Sequence, residues 1–150
     1  MKKLILLIIL TSTGLISACS NFSGHSSIPA LQQQQLQTKE MVWQLYRIDG
    51  QTLSNQESTH LPYLRFDAAN KQVSGSDGCN RIFGSYQIQG NTLHLSPLAS
   101  TKMMCIDDMQ ISDQFHLALA KVESFSIEQQ TLKLKDQSNH VIMEFHSQSH

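Results

Sequence analysis

Cys79 and Cys105 are the residues whose type most directly allows chemistry. A thiolate is a nucleophile and a metal ligand, whereas two neighbouring thiols in an oxidising compartment become a disulfide. A catalytic thiol needs an adjacent base or a positive field. Around Cys79 the chain offers Asp77, Asn80 and a single cation, Arg81. Three states stay open for the pair: a disulfide, two buried reduced thiols, and a reactive Cys79. A bond would enclose 27 residues counting both ends. Closing a loop of that length contributes about 3.5 kcal/mol in a strain-free chain-entropy account.

The remaining candidates are weaker. Gly75, Gly78 and Gly84, with Asp77 and Asn80, suggest a phosphate cradle. No Gly-Lys-Ser/Thr and no helix start follows them, so the glycines read as a bulge or a sharp bend. Asn80 then bonds nearby backbone. Of the seven histidines, His25 and His60 fall in a leading segment and a loop, and His94, His140 and His146 at solvent-facing strand positions. His146 and His150 end the chain as a weak surface pair. No three or four ligands stand at structural spacing, so neither a metal nor another cofactor is expected. Asp107 and Asp108 read as helix-start charges, without the opposed second acid of a hydrolase. Met103, Met104 and Met109 read as soft packing and Trp43 as a core anchor. The expectation is a protein without enzymatic activity.

Period-two alternation supplies the scaffold that must position these groups. It runs through Met41, Trp43 and Leu45; Leu64 and Phe66; Tyr86 and Ile88; Leu93 and Leu95. It resumes at Phe125 and Ile127, Leu132 and Leu134, and Val141, Met143 and Phe145. Such alternation means strands with one wet face. Gln89-Gly90-Asn91, Glu128 to Thr131 and Asp136 to Asn139 mark the reversals. Ile111, Phe115, Ala118, Leu119 and Val122 form one helical stripe, with Lys121 in its last turn. The pattern predicts a mainly β (α+β) fold of seven or eight antiparallel strands. They form a meander curling into a barrel or partial barrel, with one helix packed across it.

The N-terminus is of another kind. Lys2 and Lys3 precede the apolar run Leu4 to Leu10, too short for a spanning helix, so residues 1–18 read as a cleavable signal peptide. Ile16-Ser17-Ala18-Cys19 resembles the bacterial lipobox, which implies lipidation of Cys19; the other reading is an ordinary signal cut after Ala18. Acyl chains would hold the protein on a bilayer. Ser20 in place of aspartate resembles outer-membrane sorting in Gram-negative cells, with the domain facing the periplasm. Residues 19–39 are rich in Ser and Gln and read as a flexible tether spanning roughly 25 Å. Without Lys2 and Lys3 the chain has 9 basic against 12 acidic residues, a net charge of −3. That balance argues against a nucleic-acid partner.

Gly75-Ser76-Asp77-Gly78-Cys79-Asn80-Arg81 and Gly84-Ser85-Tyr86 resemble the signature of the META domain, including its HslJ-like members. Trp43-Gln44-Leu45, Leu98 to Cys105 with Thr101 and Met104, the helix with Phe115 and Leu119, and Leu132-Lys133-Leu134 match in order. Lys102 departs from the more common arginine. The resemblance covers residues 40–146, leaving 147–150 as a disordered tail. It implies a small, partly open β-barrel with a helix in a cell-envelope or secreted protein. The family's members are linked to heat-shock induction, antibiotic tolerance, motility or virulence, with no shared enzymatic activity. The leading expectation is a non-enzymatic outer-membrane lipoprotein that supports envelope integrity under stress through contacts with another envelope protein. The alternatives are a carrier of a small apolar ligand or lipid in the barrel interior and, last, a cysteine-dependent enzyme.

Overall fold

The alternating segments form ten strands, and two helices accompany them, in a computed structural model that describes residues 27–38, 41–53, 60–103, 105 and 109–149. Residues 1–18, read above as a signal peptide, and Cys19, His25, Met104, Asp107, Asp108 and His150 lie outside the described residues. In chain order the elements are α1 (Ser27–Leu36), β1 (Met41–Ile48), β2 (Gln51–Thr52), β3 (Tyr63–Asp67), β4 (Gln72–Ser76) and β5 (Arg81–Gln89). They continue with β6 (Thr92–Leu95), β7 (Ala99–Ser100), α2 (Met109–Leu119), β8 (Ser124–Glu128), β9 (Thr131–Lys135) and β10 (Val141–Ser149).

Eight strands pair antiparallel in the order β10-β9-β8-β6-β5-β4-β3-β1, and β1 pairs back onto β10, so the ring closes. The short β2 and β7 attach outside it, to β1 and β5. Closure removes the exposed edges an open sheet would leave. The thinnest seam is β6–β8, where Thr92 and Ser124 are the one strand pair.

The expected turns are present. Gln89 pairs with Thr92, leaving Gly90 (φ +60°) and Asn91 as a two-residue loop. Gln129 (φ 55°) and Asn139 (φ 64°) take left-handed conformations in the other two reversals. Gly75 lies inside β4, neither at a bend nor at a bulge. A Cβ there would stand 1.9 Å from the Tyr63 carbonyl oxygen, so β3 and β4 pair this closely only because it has none.

The interior is packed with large side chains. Trp43, Leu45, Leu64, Phe66, Val73, Ile82, Tyr86, Leu93, Phe125, Leu132, Leu134, Met143 and Phe145 are each at most 1% exposed. Two bulges alter the expected alternation. Tyr46 is the extra residue between the pairs Leu45–Phe145 and Arg47–Glu144, so Leu45 and Ile48 both reach the core. Ile142 plays that role in β10 between Val141 and Met143. Val141, expected inside, is therefore exposed, and Ile142 is buried in its place.

Two boundaries differ from the sequence reading. Residues 27–36 of the expected flexible tether form α1, whose Leu36 is fully buried. The indole Nε1 of Trp43 donates to the Leu36 carbonyl at 3.5 Å. Gln32 and Gln35 donate to the carbonyls of Ile127 and Gln129 at 3.2 and 2.8 Å. The barrel supplies the apolar partner that an isolated Gln-rich segment lacks. Among the described residues there are accordingly two helices, not one. Finally, residues 147–149 of the expected disordered tail continue β10 against β1, and the Ser147 amide donates to the Gln130 carbonyl at 2.9 Å.

The helices sit at opposite ends. In a meander, successive turns alternate between ends; α1 bonds the β8–β9 turn, while α2 bonds the β4–β5 turn. Phe115 of α2 meets Phe145 edge-on with centroids 6.3 Å apart. Replacing Leu36 by alanine is expected to cost about 2–3 kcal/mol in urea unfolding. It should also expose 27–36 to proteolysis before the barrel unfolds. Unchanged stability would show that α1 does not belong to the folded unit.

Candidate functional site

The β4–β5 connection at residues 77–80 gathers most of the residues singled out from the sequence. Asp77 starts it: its Oδ1 accepts from the amides of Cys79 (2.8 Å) and Asn80 (2.5 Å). A short carboxylate folding back on the chain in this way makes an Asx turn. Gly78 has φ +100°, and a Cβ there would meet the His60 carbonyl oxygen at 2.9 Å, so a side chain is excluded twice over. Asn80 bonds in two directions. Its Nδ2 donates to Asp77 Oδ2 at 3.3 Å, and its Oδ1 accepts from the Met103 amide at 2.7 Å.

Thr101 extends that link. Its Oγ1 accepts from the Arg81 amide and its amide donates to the Arg81 carbonyl, each at 3.0 Å. The segment 99–103 is thus laid along 80–83, which brings Cys105 to Cys79. The two are joined by a disulfide with Cα atoms 5.9 Å apart. Of the three thiol states left open, the bonded one is present. Neither sulfur is then a thiolate, which removes Cys79 as a nucleophile.

Asp77 is fully buried, and its second oxygen faces α2. His116 Nε2 stands 2.8 Å from Oδ2, and Ser112 donates its hydroxyl to the same carboxylate. Burial pushes the carboxyl pKa up, but the bonds from the Asn80 and Cys79 amides, Ser112 and His116 outweigh it. The carboxyl is held below its usual range. Ser112 and His116 are four residues apart, so one helical face presents both donors to the turn. His116 was missed by sequence reasoning. The available signal was polar residues at 112 and 116 bracketing Phe115, where the core stripe calls for apolar ones.

The other singled-out residues are structural or lie apart. Tyr86 is buried; its hydroxyl donates to the Asp67 carbonyl at 3.2 Å and its ring meets Phe66 edge-on. Gly84 lets the next segment lie on β5: a Cβ there would stand 2.5 Å from Leu98 Cδ2 and 3.0 Å from Ser96 Oγ. His94 pairs with Glu123, His140 with Asp136, and His146 stacks on Tyr46 with centroids 3.8 Å apart. Among the described residues, no three His, Cys, Asp or Glu side chains gather as a metal site.

A cleft of about 350 Å³ opens between the 95–98 segment and α2, lined by Leu95, Ser96, Pro97, Leu98, His116, Leu119 and Ala120. The His116 ring therefore stands between the buried carboxylate and this cleft.

A closed antiparallel barrel, stapled by one disulfide and with a helix locked to a buried carboxylate, defines a class of small β-barrel domain. The META domain family model matches residues 34–149, and the chain belongs to that family. A similar fold occurs in the NMR structure of a protein from Burkholderia xenovorans, at TM-score 0.63 and 21% identity over 95% of this chain and all of that one. A crystal structure of a DUF4847 family protein from Bacteroides vulgatus is similar at TM-score 0.55 and 15% identity, over 75% of this chain and 95% of that one. No curated protein matches the chain.

Proposed function

We propose that this META domain protein is a non-enzymatic, lipid-anchored module of the bacterial outer membrane, facing the periplasm and supporting envelope integrity under stress through protein contacts. The observation that carries this reading is the Cys79–Cys105 disulfide behind a lipobox-like Cys19. Structural disulfides persist in oxidising compartments. Docking of α1 adds a constraint on the anchor. Only residues 20–26 separate Cys19 from the helix. Seven residues reach at most about 25 Å when fully extended. The anchored domain would lie close against the bilayer.

A carrier holding a ligand in the barrel interior is disfavoured, because core side chains occupy the interior and a helix covers each end. Protein contacts find support in exposed Phe83, Met103, Met109 and Leu117. All four belong to the stretch from β5 to α2, which includes Cys105. Labelling with radioactive palmitate tests the anchor. The wild-type chain is expected to incorporate label and fractionate with the outer membrane, and Cys19→Ala to incorporate none. Equal labelling of the two would overturn the reading. Crosslinking in intact envelopes tests the contacts: a discrete heterologous adduct is expected, weakened by Phe83→Ser or Leu117→Ser.

A further inference from the structure

We propose that the cleft between the 95–98 segment and α2 is a binding site for a small monocarboxylate with an apolar tail, held by His116 and Ser96. The inference does not depend on the anchor or on the protein contacts proposed above.

The chemistry follows from which polar atoms remain uncommitted. His116 gives its Nε2–H to Asp77, a buried acceptor. The ring's tautomer is thereby set and its other nitrogen, Nδ1, has no protein partner among the described residues. Ser96 Oγ accepts the Ser85 amide at 2.9 Å. Its own proton is left to donate, and no acceptor for it stands among the described residues. Both residues line the cleft.

A carboxylic acid satisfies both. Shared between Nδ1 and the ligand, its proton produces an imidazolium between two carboxylates, Asp77 on the buried side and the ligand on the open side. The second ligand oxygen accepts from Ser96. An ester brings no acidic proton and leaves Nδ1 unpaired, and an alcohol hydroxyl can meet both groups but brings no negative charge to pair with an imidazolium. His116 is the one lining group able to carry positive charge, which matches a single negative charge and not a dianion. Leu95, Pro97, Leu98, Leu119 and Ala120 complete the walls, suited to an alkyl or aryl tail. The cleft mixes apolar walls with polar groups in about equal measure, and its volume of about 350 Å³ falls in the range of small-molecule sites. Two features of the family-like motifs shape it: Asp77 orients the histidine, and Gly84 lets Ser96 and Leu98 lie on β5.

The test is an amide NMR titration of the full chain carrying Cys19→Ala, with octanoate as the probe. Shifts are expected at residues 95–98 and 116–120, with a dissociation constant of about 0.1–1 mM. Methyl octanoate and octan-1-ol should each bind about tenfold more weakly or not at all. His116→Gln, which can still donate to Asp77, should weaken octanoate about tenfold. Ala120→Trp, at an exposed position away from Asp77, should fill the cleft and abolish binding even if His116→Gln misfolds. Equal affinity for octanoate and its methyl ester, shifts elsewhere on the barrel, or no shifts up to about 10 mM would each overturn the proposal.

Discussion

Replacing Cys79 and Cys105 together by serine is expected to lower the unfolding free energy by about 3 kcal/mol, and the melting temperature by about 10–15 °C. The bond closes a long loop, Cys79 to Cys105 at a separation of 26, that includes β5, β6 and β7. Most of its effect comes from restricting the unfolded chain. In the native state the same connection is held by the Asn80–Met103 and Arg81–Thr101 hydrogen bonds. The barrel should therefore still form without the disulfide. A loss of this size is nonetheless a large share of the 5–15 kcal/mol typical of a domain. Urea unfolding of the double variant, and of wild type with and without reductant, measures it. A change below about 1 kcal/mol in both comparisons would mean that the disulfide does not staple the fold.

Strand identity was legible because alternation records which face is buried, and the ring of Trp43, Leu64, Tyr86, Leu93, Phe125, Leu132 and Phe145 turns inward as that pattern requires. Three features were not legible, each for a physical reason. Bulges at Tyr46 and Ile142 shift the phase by one residue, and no local residue type marks them. Strand β4 contains the apparent breaker Gly75, whose role is close approach to Tyr63 across the sheet and so depends on a partner distant in sequence. Helix α1 carries a run of four glutamines, with Leu36 as its buried anchor, and its stability comes from the barrel it docks on. At the candidate site, the turn residues were visible through their glycines and Asn80. The Asp77–His116 pair joins groups 39 residues apart and leaves no spacing signature in the chain.

Asp77→Asn is expected to cost about 3 kcal/mol at neutral pH, although it changes one atom in kind. Asparagine can keep the turn, because its Oδ1 still accepts from the Cys79 and Asn80 amides. Its Nδ2 would then stand where Oδ2 accepts from Asn80 Nδ2 and His116, so two amide donors face each other in a buried site and the charge that holds Ser112 and His116 is lost. Breaking a buried charged network by changing one partner typically costs 3–5 kcal/mol. The effect carries a pH signature. The folded-state pKa of Asp77 lies below its unfolded value, so the carboxylate contributes stability that is fully present above about pH 4–5. That contribution is lost as pH falls through the folded pKa. The gap between wild type and Asp77→Asn should accordingly be constant from about pH 5 to 8 and shrink toward pH 3. Urea unfolding at pH 7 and pH 3 decides it; a gap of equal size at both would show that the ionised carboxylate is not what holds α2 to the β4–β5 turn. A companion His116→Gln variant separates the helix contact from the turn. Glutamine can still donate to Oδ2 and leaves the turn amides paired, so it should lose about 1–2 kcal/mol, less than Asp77→Asn.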